Sequence, residues 1–155
     1  ATRVLDARTA FVMDSMLQEV TKSGTAASAR AKLGRNDIAG KTGTTNDSID
    51  AWFAGYNPKL VGIAWIGFDK PKNLGNRETG GGLALPIWIS YMQKALANTP
   101  MMNREMPAGI SAVGSDFTYH EYLESGGVSS IGLTPAGDSK TNEDNPEGKT
   151  QNELF

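Results

Sequence analysis

The chain has 155 residues, of which 39% are hydrophobic and 21% charged, and its formal net charge is −2. These values are typical of one globular domain, or of a small domain with a tail, and the scattered basic residues argue against a nucleic-acid-binding surface. The absence of cysteine excludes disulfides and cysteine chemistry, and a single histidine, His120, argues against a histidine triad or a histidine-rich metal site.

Two helices are predicted first. Apolar residues at helical spacing predict a helix from Arg8 to about Lys22, which Gly24 ends. A shorter helical segment, Ala27–Leu33, ends at Gly34. The chain begins at Ala1 without a methionine, in what reads as the lead-in to a helix. We therefore expect it to be a fragment or a processed product.

Three strand-like segments follow, at 38–45, 50–56 and 60–68. The turn residues Asn57-Pro58-Lys59 separate the last two. This order predicts a three-stranded antiparallel meander. The third segment is apolar at both odd and even positions, which predicts a strand buried on two faces. It is also the longest apolar stretch, and it is far shorter than the roughly 18 residues that a membrane-spanning helix needs.

A polar loop, 69–82, precedes a second long helix that is predicted from Leu85 to about Ala97, with Pro86 in its first turn. Its apolar stripe is predicted to pack on the sheet. The stripe consists of Ile87, Trp88, Tyr91, Met92, Ala95 and Leu96.

After Thr99 the sequence becomes less regular. Residues 100–132 carry weak strand signals at best, at Phe117–Tyr122, and residues 133–155 are almost entirely polar. We expect that tail to be disordered, because it cannot bury enough apolar surface to offset the entropy of ordering. The predicted organisation is therefore a structured part at 1–98, a poorly structured extension at 99–132 and a disordered tail at 133–155.

The segment 39–45 carries the most chemical information. Side chains alternate faces along a strand, so Lys41 should lie on one face and Thr42 and Thr44 on the other. Gly43 leaves room for another group to approach the backbone. A cation, two hydroxyls and edge N–H groups suit an anionic substrate end and a developing oxyanion.

Two other interpretations remain open on the residues alone. A short polar strand with glycine is also typical of an ordinary sheet edge. The Gly40-Lys41-Thr42 sequence has a partial likeness to a phosphate-binding loop. That motif requires glycine at position 35, where the chain has Arg35, and Gly34 is one residue too early. Nucleotide binding is therefore disfavoured.

The order of motifs resembles the penicillin-binding transpeptidases, most closely the class A bifunctional type of Gram-negative bacteria. The similar segments cover residues 8–98 and are Gly24-Thr25-Ala26, Gly40-Lys41-Thr42-Gly43-Thr44-Thr45, Asp50-Ala51-Trp52-Phe53-Ala54-Gly55-Tyr56, Trp65-Ile66-Gly67-Phe68-Asp69, Gly80-Gly81-Gly82 and Pro86-Ile87-Trp88. The resemblance implies an α+β fold, in which a three-stranded antiparallel sheet with flanking helices forms part of the serine β-lactamase/penicillin-binding transpeptidase fold.

The chain departs from this family in two of its three active-site motifs. The family uses S-x-x-K, S-x-N and K-[ST]-G in that order, and only the last is present. Ser28 comes nearest to the first motif, but Lys32 is four residues away. We expect the nucleophile to lie in an upstream part of the same domain, with a membrane anchor and a glycosyltransferase domain before it. Alone, the chain should expose the sheet face that the upstream part covers.

The resemblance implies roles for the residues that remain. Lys41 and Thr44 would be catalytic, the former in the proton network and the latter through its N–H in the oxyanion hole. Thr42, Gly43, Thr44 and Thr45 would bind the substrate. Trp52 could line the cleft, although core packing is the simpler interpretation. Asp47 and Asp50 are interpreted as turn residues, and His120, outside the similar region, receives no role.

The implied reaction is the cross-linking of D-Ala-D-Ala stem peptides at the periplasmic face of the bacterial inner membrane. Stem peptides, β-lactams and the upstream part of the domain would be the partners, without a cofactor, a metal or nucleic acid. Membrane contact would come only through the absent anchor. A second hypothesis is a non-catalytic module that binds peptide carboxylates or β-lactams.

Overall fold

The computed structural model describes residues 4–76 and 78–124. The chain forms an α+β fold, as predicted. The elements in chain order are α1 (Ala7–Lys22), α2 (Ala27–Leu33), β1 (Ala39–Thr44), a 3₁₀ turn (Asn46–Ser48), β2 (Ala51–Asn57), β3 (Leu60–Ile66), a π-helical turn (Gly80–Ala84), α3 (Leu85–Ala95), β4 (Ile110–Val113), β5 (Asp116–Tyr119) and α4 (His120–Glu124).

Helix α1 starts at a capping residue and ends against the sheet. The carboxylate of Asp6 accepts hydrogen bonds from the N–H groups of Arg8 and Thr9, at 3.0 and 3.4 Å. Such a cap satisfies donors that the helix itself leaves unpaired. At the other end, the buried hydroxyl of Thr21 donates to the carbonyl oxygen of Ile38 over 2.9 Å. The end of α1 is thereby bound to the residue just before β1.

The sheet is the predicted antiparallel meander, in the order β1-β2-β3. Thr42 pairs with Phe53, and Phe53 with Ala64, so these three residues share one face. The side chain of Asn57 closes the turn between β2 and β3, because its Oδ1 accepts from the N–H groups of Lys59 and Leu60. The predicted turn and strand order are confirmed.

Three glycines form a row across the sheet on the face that carries Phe53. Gly40 pairs with Gly55, and Gly55 with Gly62. A Cβ added at Gly55 would lie 2.7 Å from the Trp88 ring, and one at Gly62 would lie 3.1 Å from its Nε1. The indole therefore lies directly on the backbone, and its Nε1 donates to the oxygen of Gly62 over 3.1 Å.

Helix α3 forms the centre of the core. Trp88 meets Phe53 edge to face, with the ring centroids 4.9 Å apart. The core-facing residues of the helix are Leu85, Trp88, Ile89, Met92 and, just past its end, Leu96. The predicted stripe was too wide: Ile87, Tyr91 and Ala95 are exposed. The buried residues recur at three- and four-residue spacing, and this narrow helix face is enough to cover Gly55 and Gly62.

The prediction that the third strand is buried on two faces is wrong. Val61 and Ile63 are 71% and 66% exposed, because no element within the described residues covers their side of β3. Trp52 lies on the same side and is 42% exposed, so the interpretation of Trp52 as a core residue is wrong, and its neighbour Phe53 is the buried one. The expected exposed sheet face is present.

The segment after α3 returns across the molecule to α1. Arg35 donates to both carboxylate oxygens of Asp37 and to the carbonyl of Thr99, and Asp37 also accepts the N–H of Met102. These contacts, here called the Arg35–Asp37 clamp, fix residues 99–102 beside the start of β1.

Beyond the clamp, β4 and β5 form an antiparallel hairpin on α1, where the sequence showed only weak strand signals. Phe117 packs edge to face on Phe11, with ring centroids 4.9 Å apart. The division at residue 99 stays a prediction, and the tail predicted at 133–155 lies outside the described residues. No helix within 4–76 and 78–124 is long and apolar enough to cross a membrane.

Candidate functional site

Strand β1 displays its polar residues in the alternation that the sequence predicts. Lys41 pairs with Ala54 and lies on the face opposite to the core, whereas Thr42 and Thr44 lie on the core side, opposite Phe53 and Ala51. Lys41 is exposed, and its Nζ donates to the carbonyl oxygen of Thr42 over 2.9 Å. The cation and the hydroxyls are therefore available on opposite faces of one edge strand.

The hydroxyl of Thr42 is not isolated. Its Oγ1 lies 3.1 Å from Oγ1 of Thr25, in the loop between α1 and α2, and either oxygen can be the donor. A Cβ added at Gly81 would lie 3.3 Å from the backbone oxygen of Thr25 and 3.8 Å from Cγ2 of Thr42. Three chain segments therefore meet around Thr42.

Thr44 is connected to the π-helical turn. Its Oγ1 accepts the N–H of Gly80 over 3.0 Å. A Cβ at position 80 would lie 2.3 Å from the carbonyl oxygen of Trp52 and 2.5 Å from that of Gly43, so only glycine fits there. The side chain of Thr79 caps the turn by accepting the N–H of Gly82 over 3.1 Å. The glycine cluster thus packs on the backbone of β1 between its two threonines.

Thr45 organises the turn that follows β1. Its Oγ1 accepts the N–H of Asp50 over 2.8 Å, and Asp50 in turn accepts the Trp65 Nε1–H over 2.9 Å. Between them, Asp47 and Ser48 have φ values of 59° and 49°, a region that costs energy for residues other than glycine. The interpretation of Asp47 and Asp50 as turn residues is confirmed, and Thr45 has a structural contact there.

The strained turn is fixed by the loop that follows β3. The N–H of Leu74 donates to the oxygen of Ser48 over 2.8 Å, and the side chain of Asn73 donates to the carbonyl oxygen of Asp47. Two loops that are distant in sequence are thereby held together beside the end of β1.

Of the predicted site residues, Lys41, Thr42, Gly43 and Thr44 lie on β1 and Thr45 directly follows it. Sequence reasoning missed the contact of Thr25. In the sequence, Thr25 stood out only as part of the Gly24-Thr25-Ala26 segment, which supported the family resemblance but gave Thr25 no functional role. A cavity of about 730 Å³ lies elsewhere, between α1 and the β4–β5 hairpin, where Phe11 and Phe117 help to line it. The described part of the chain brings no three His, Asp or Glu side chains together as a metal site.

The α+β fold, with its antiparallel three-stranded sheet, is that of the penicillin-binding transpeptidases. A solved structure of penicillin-binding protein 1A from Haemophilus influenzae superimposes with a TM-score of 0.69 at 34% identity, over 77% of this chain and 21% of that one. No protein-family model matches the chain.

Curated relatives agree with the structural match. Penicillin-binding protein 1A of Pseudomonas aeruginosa is 56% identical over 116 residues, which are 75% of this chain and 14% of that protein. The Neisseria gonorrhoeae protein of the same name is 40% identical over 156 residues, 99% of this chain and 19% of that protein. The chain therefore spans less than a fifth of these relatives. The resemblance is confirmed: the chain is similar to a C-terminal part of penicillin-binding protein 1A.

Proposed function

We propose that this chain supplies the substrate-recognition and oxyanion strand of a serine-type peptidoglycan D,D-transpeptidase of the penicillin-binding class. The observation that carries the proposal is the geometry of β1. The strand lies at the edge of the three-stranded sheet, with Thr42 and Thr44 on one face and Lys41 on the other. The similarity to penicillin-binding proteins 1A supports the same assignment.

In the proposed reaction, a serine from outside this chain attacks the peptide carbonyl of D-Ala-D-Ala. Negative charge develops on the carbonyl oxygen, and the N–H of Thr44 stabilises it as one donor of the oxyanion hole. The bond to the last D-alanine breaks, its amine takes a proton and an acyl-enzyme remains. The amine of a neighbouring stem peptide then attacks the ester, which forms the cross-link and releases the serine.

Other residues of β1, and Thr45 directly after it, bind the substrate before and during these steps. The hydroxyl of Thr42 donates to the terminal carboxylate of the stem peptide, or to that of a β-lactam, with Gly43, Thr44 and Thr45 beside it. Hydrogen bonds to an ionised group are the stronger kind, so this contact orients the substrate. Lys41 contributes a positive charge and a proton relay to the serine motif on its side of the strand.

The rest of the whole protein belongs to the proposal as well. A membrane anchor and a glycosyltransferase domain precede this chain, and the transpeptidase domain lies at the periplasmic face of the bacterial inner membrane. Its contribution to cell-wall synthesis and cell shape follows from the cross-links that it forms, and β-lactams inhibit it by acylating the serine.

A fluorescent penicillin tests the proposal. The isolated chain should form no covalent adduct that survives denaturation, whereas the full-length protein that contains it should. In the full-length protein Lys41→Ala should reduce labelling at least about a hundredfold, the scale of losing a catalytic proton-transfer group. Lys59→Ala, in the exposed turn between β2 and β3, is the matched control and should label normally.

The outcomes separate the hypotheses. A labelled band from the isolated chain would show that the nucleophile is within it and would overturn the proposal. An unlabelled full-length protein that still binds acyl-D-Ala-D-Ala reversibly, and loses this binding in Thr42→Val, would identify a non-catalytic binding module instead.

A further inference from the structure

We propose that Thr25 is a positioning residue of the carboxylate-binding site, acting through the hydroxyl of Thr42. This inference rests on the proposed function and adds to it a residue from a different element. The two Oγ1 atoms are 3.1 Å apart, although the residues are 17 positions apart in sequence. The side chain of Thr25 is exposed and that of Thr42 half-buried, so the pair lies at the surface that a substrate would meet.

The loop that carries Thr25 is held on both sides. The N–H of Ala26 donates to the oxygen of Val20 over 3.0 Å, and Ala26 itself is fully buried in the core. The N–H of Ala27 donates to the oxygen of Gly24 over 3.1 Å, and a Cβ at Gly24 would lie 2.9 Å from Cα of Val20. The backbone of Thr25 therefore has a fixed position relative to α1 and the core.

The π-helical turn supports the same loop from the side of β1. A Cβ at Gly81 would lie 3.3 Å from the backbone oxygen of Thr25, so the two backbones are in close contact. The next glycine back, Gly80, donates to Thr44. One packed unit therefore places the hydroxyl of Thr25 beside β1.

A fixed partner changes what the hydroxyl of Thr42 can do. A threonine hydroxyl has one proton to donate and two lone pairs to accept with. When an anion binds, Thr42 donates its proton to the carboxylate, and Thr25 donates to the oxygen of Thr42. This second bond restricts Thr42 to one side-chain rotamer, and it strengthens the first bond because hydrogen bonds in a chain polarise one another.

The test compares acylation of the full-length protein by a penicillin with a free carboxylate and by its neutral ester. Thr25→Val removes the hydroxyl at constant shape and should slow acylation by the free acid about fivefold, the scale of one net hydrogen bond. Acylation by the ester should change less than about twofold, because the ester offers no anion for the pair to bind. Thr25→Ser keeps the hydroxyl and should restore the rate with the free acid.

Two further variants complete the experiment. In Thr42→Val the additional Thr25→Val change should have no effect, because the hydroxyl through which Thr25 acts is already gone. The matched control is Thr9→Val, which removes another hydroxyl pair of similar length, 3.0 Å, between Thr9 and Tyr119. This control should leave both acylation rates unchanged.

The possible results are distinct. An unreactive wild type overturns the proposed function and this inference with it. A reactive wild type in which Thr25→Val slows the acid and the ester equally, or slows neither, overturns the inference alone. Should Thr25→Val lower the melting temperature strongly, Thr25→Ala replaces it, with the same ratio of the two rates as the deciding quantity.

Discussion

Asp37, just before β1, connects the segment after α3 to the start of the sheet. Its side chain is 1% exposed and accepts both donors of a bidentate Arg35 contact, at 2.7 and 2.9 Å. Burial by itself raises the pKa of this carboxyl, but the hydrogen bonds from Arg35 and from the N–H of Met102 outweigh it and leave the pKa below its usual value. The ionised form is therefore the one that stabilises the fold.

The variant Asp37→Asn should lower the free energy of unfolding at pH 7 by about 3 kcal/mol, because it leaves the Arg35 guanidinium, whose side chain is only 10% exposed, without its charge partner. A folded-state pKa below the unfolded value means that this stabilisation is present above about pH 4, the unfolded value, and disappears as the pH falls through the folded value. The difference between wild type and variant should therefore shrink on acidification.

Urea unfolding at pH 7, 4 and 3 measures this dependence. The control is Asp116→Asn on the exposed side of β5, which should change the free energy of unfolding by less than about 0.5 kcal/mol. A difference between Asp37→Asn and wild type that stays constant over the three pH values would contradict the assigned pKa direction.

For single residues, the sequence predicted correctly the features that depend only on the alternation of side chains along a strand. The opposite orientation of Lys41 and Thr42 follows from alternation along one strand. The contact between Thr25 and Thr42 does not, because it depends on where a loop after α1 meets β1. The exposure of Trp52 was also missed, since alternation separates it from Phe53 without showing which of the two faces is covered.

At the scale of elements, the glycine row determines how α3 packs on the sheet. Gly40, Gly55 and Gly62 leave a shallow groove across three strands. The indole of Trp88 fills it at Gly55 and Gly62, and the ring of Phe53 fills it at Gly40. The room for an added Cβ differs between Gly55 and Gly62. A Cβ at Gly55 would lie 2.6 Å from the ring of Phe53 and 2.7 Å from that of Trp88, whereas one at Gly62 would meet Trp88 at 3.1 Å.

Alanine at the two positions should therefore have graded effects. Gly55→Ala forces two aromatic rings to move and should cost about 3 kcal/mol of unfolding free energy, the upper end for overpacking a core. Gly62→Ala, on the same row and facing the same indole, is the matched comparison and should cost about 1 kcal/mol. The urea midpoints of unfolding of the two variants show which one is less stable. Equal midpoints would show that the space between the sheet and Trp88 does not determine the cost of an added methyl group.

The predicted elements matched the structure where a periodic apolar pattern extends over many residues, or where several residues typical of turns occur together. Helix α1 and the turn at Asn57 are examples. The β4–β5 hairpin was missed because each strand has only four residues. Its stability depends on contacts between distant parts of the chain, such as Phe117 on Phe11, and a local pattern does not contain them.

At the scale of the whole molecule, one part of the sheet face opposite to the core is apolar and exposed within the described residues. Trp52, Val61, Ile63 and Trp65 share this face, and the two indoles lie 5.8 Å apart. Contiguous apolar patches of this kind mark surfaces that associate with other protein. The sequence predicted the apolar character of β3 correctly and its burial wrongly, because a buried strand and an uncovered one carry the same residues.

We expect isolated chains to self-associate through this patch. The double variant Val61→Lys, Ile63→Lys should reduce that association and change the melting temperature little, because both side chains are mostly exposed. Sedimentation velocity over a range of concentrations measures the association. Ile87→Lys, at an exposed position on α3 outside this face, is the control and should leave it unchanged. Undiminished association in the double variant would show that the copies meet elsewhere.

The return of the chain to α1 has a topological consequence. The hydroxyls of Thr9 and Tyr119 are 3.0 Å apart, and the guanidinium of Arg8 pairs with Glu121 at 2.9 Å. The first helix, α1, and the last described helix, α4, therefore start side by side. A short linker could join these neighbouring points, and new termini could be opened in the exposed turn 114–115 between β4 and β5. Circular permutation of this kind preserves every contact around β1, since none of them requires the ends to be where they are.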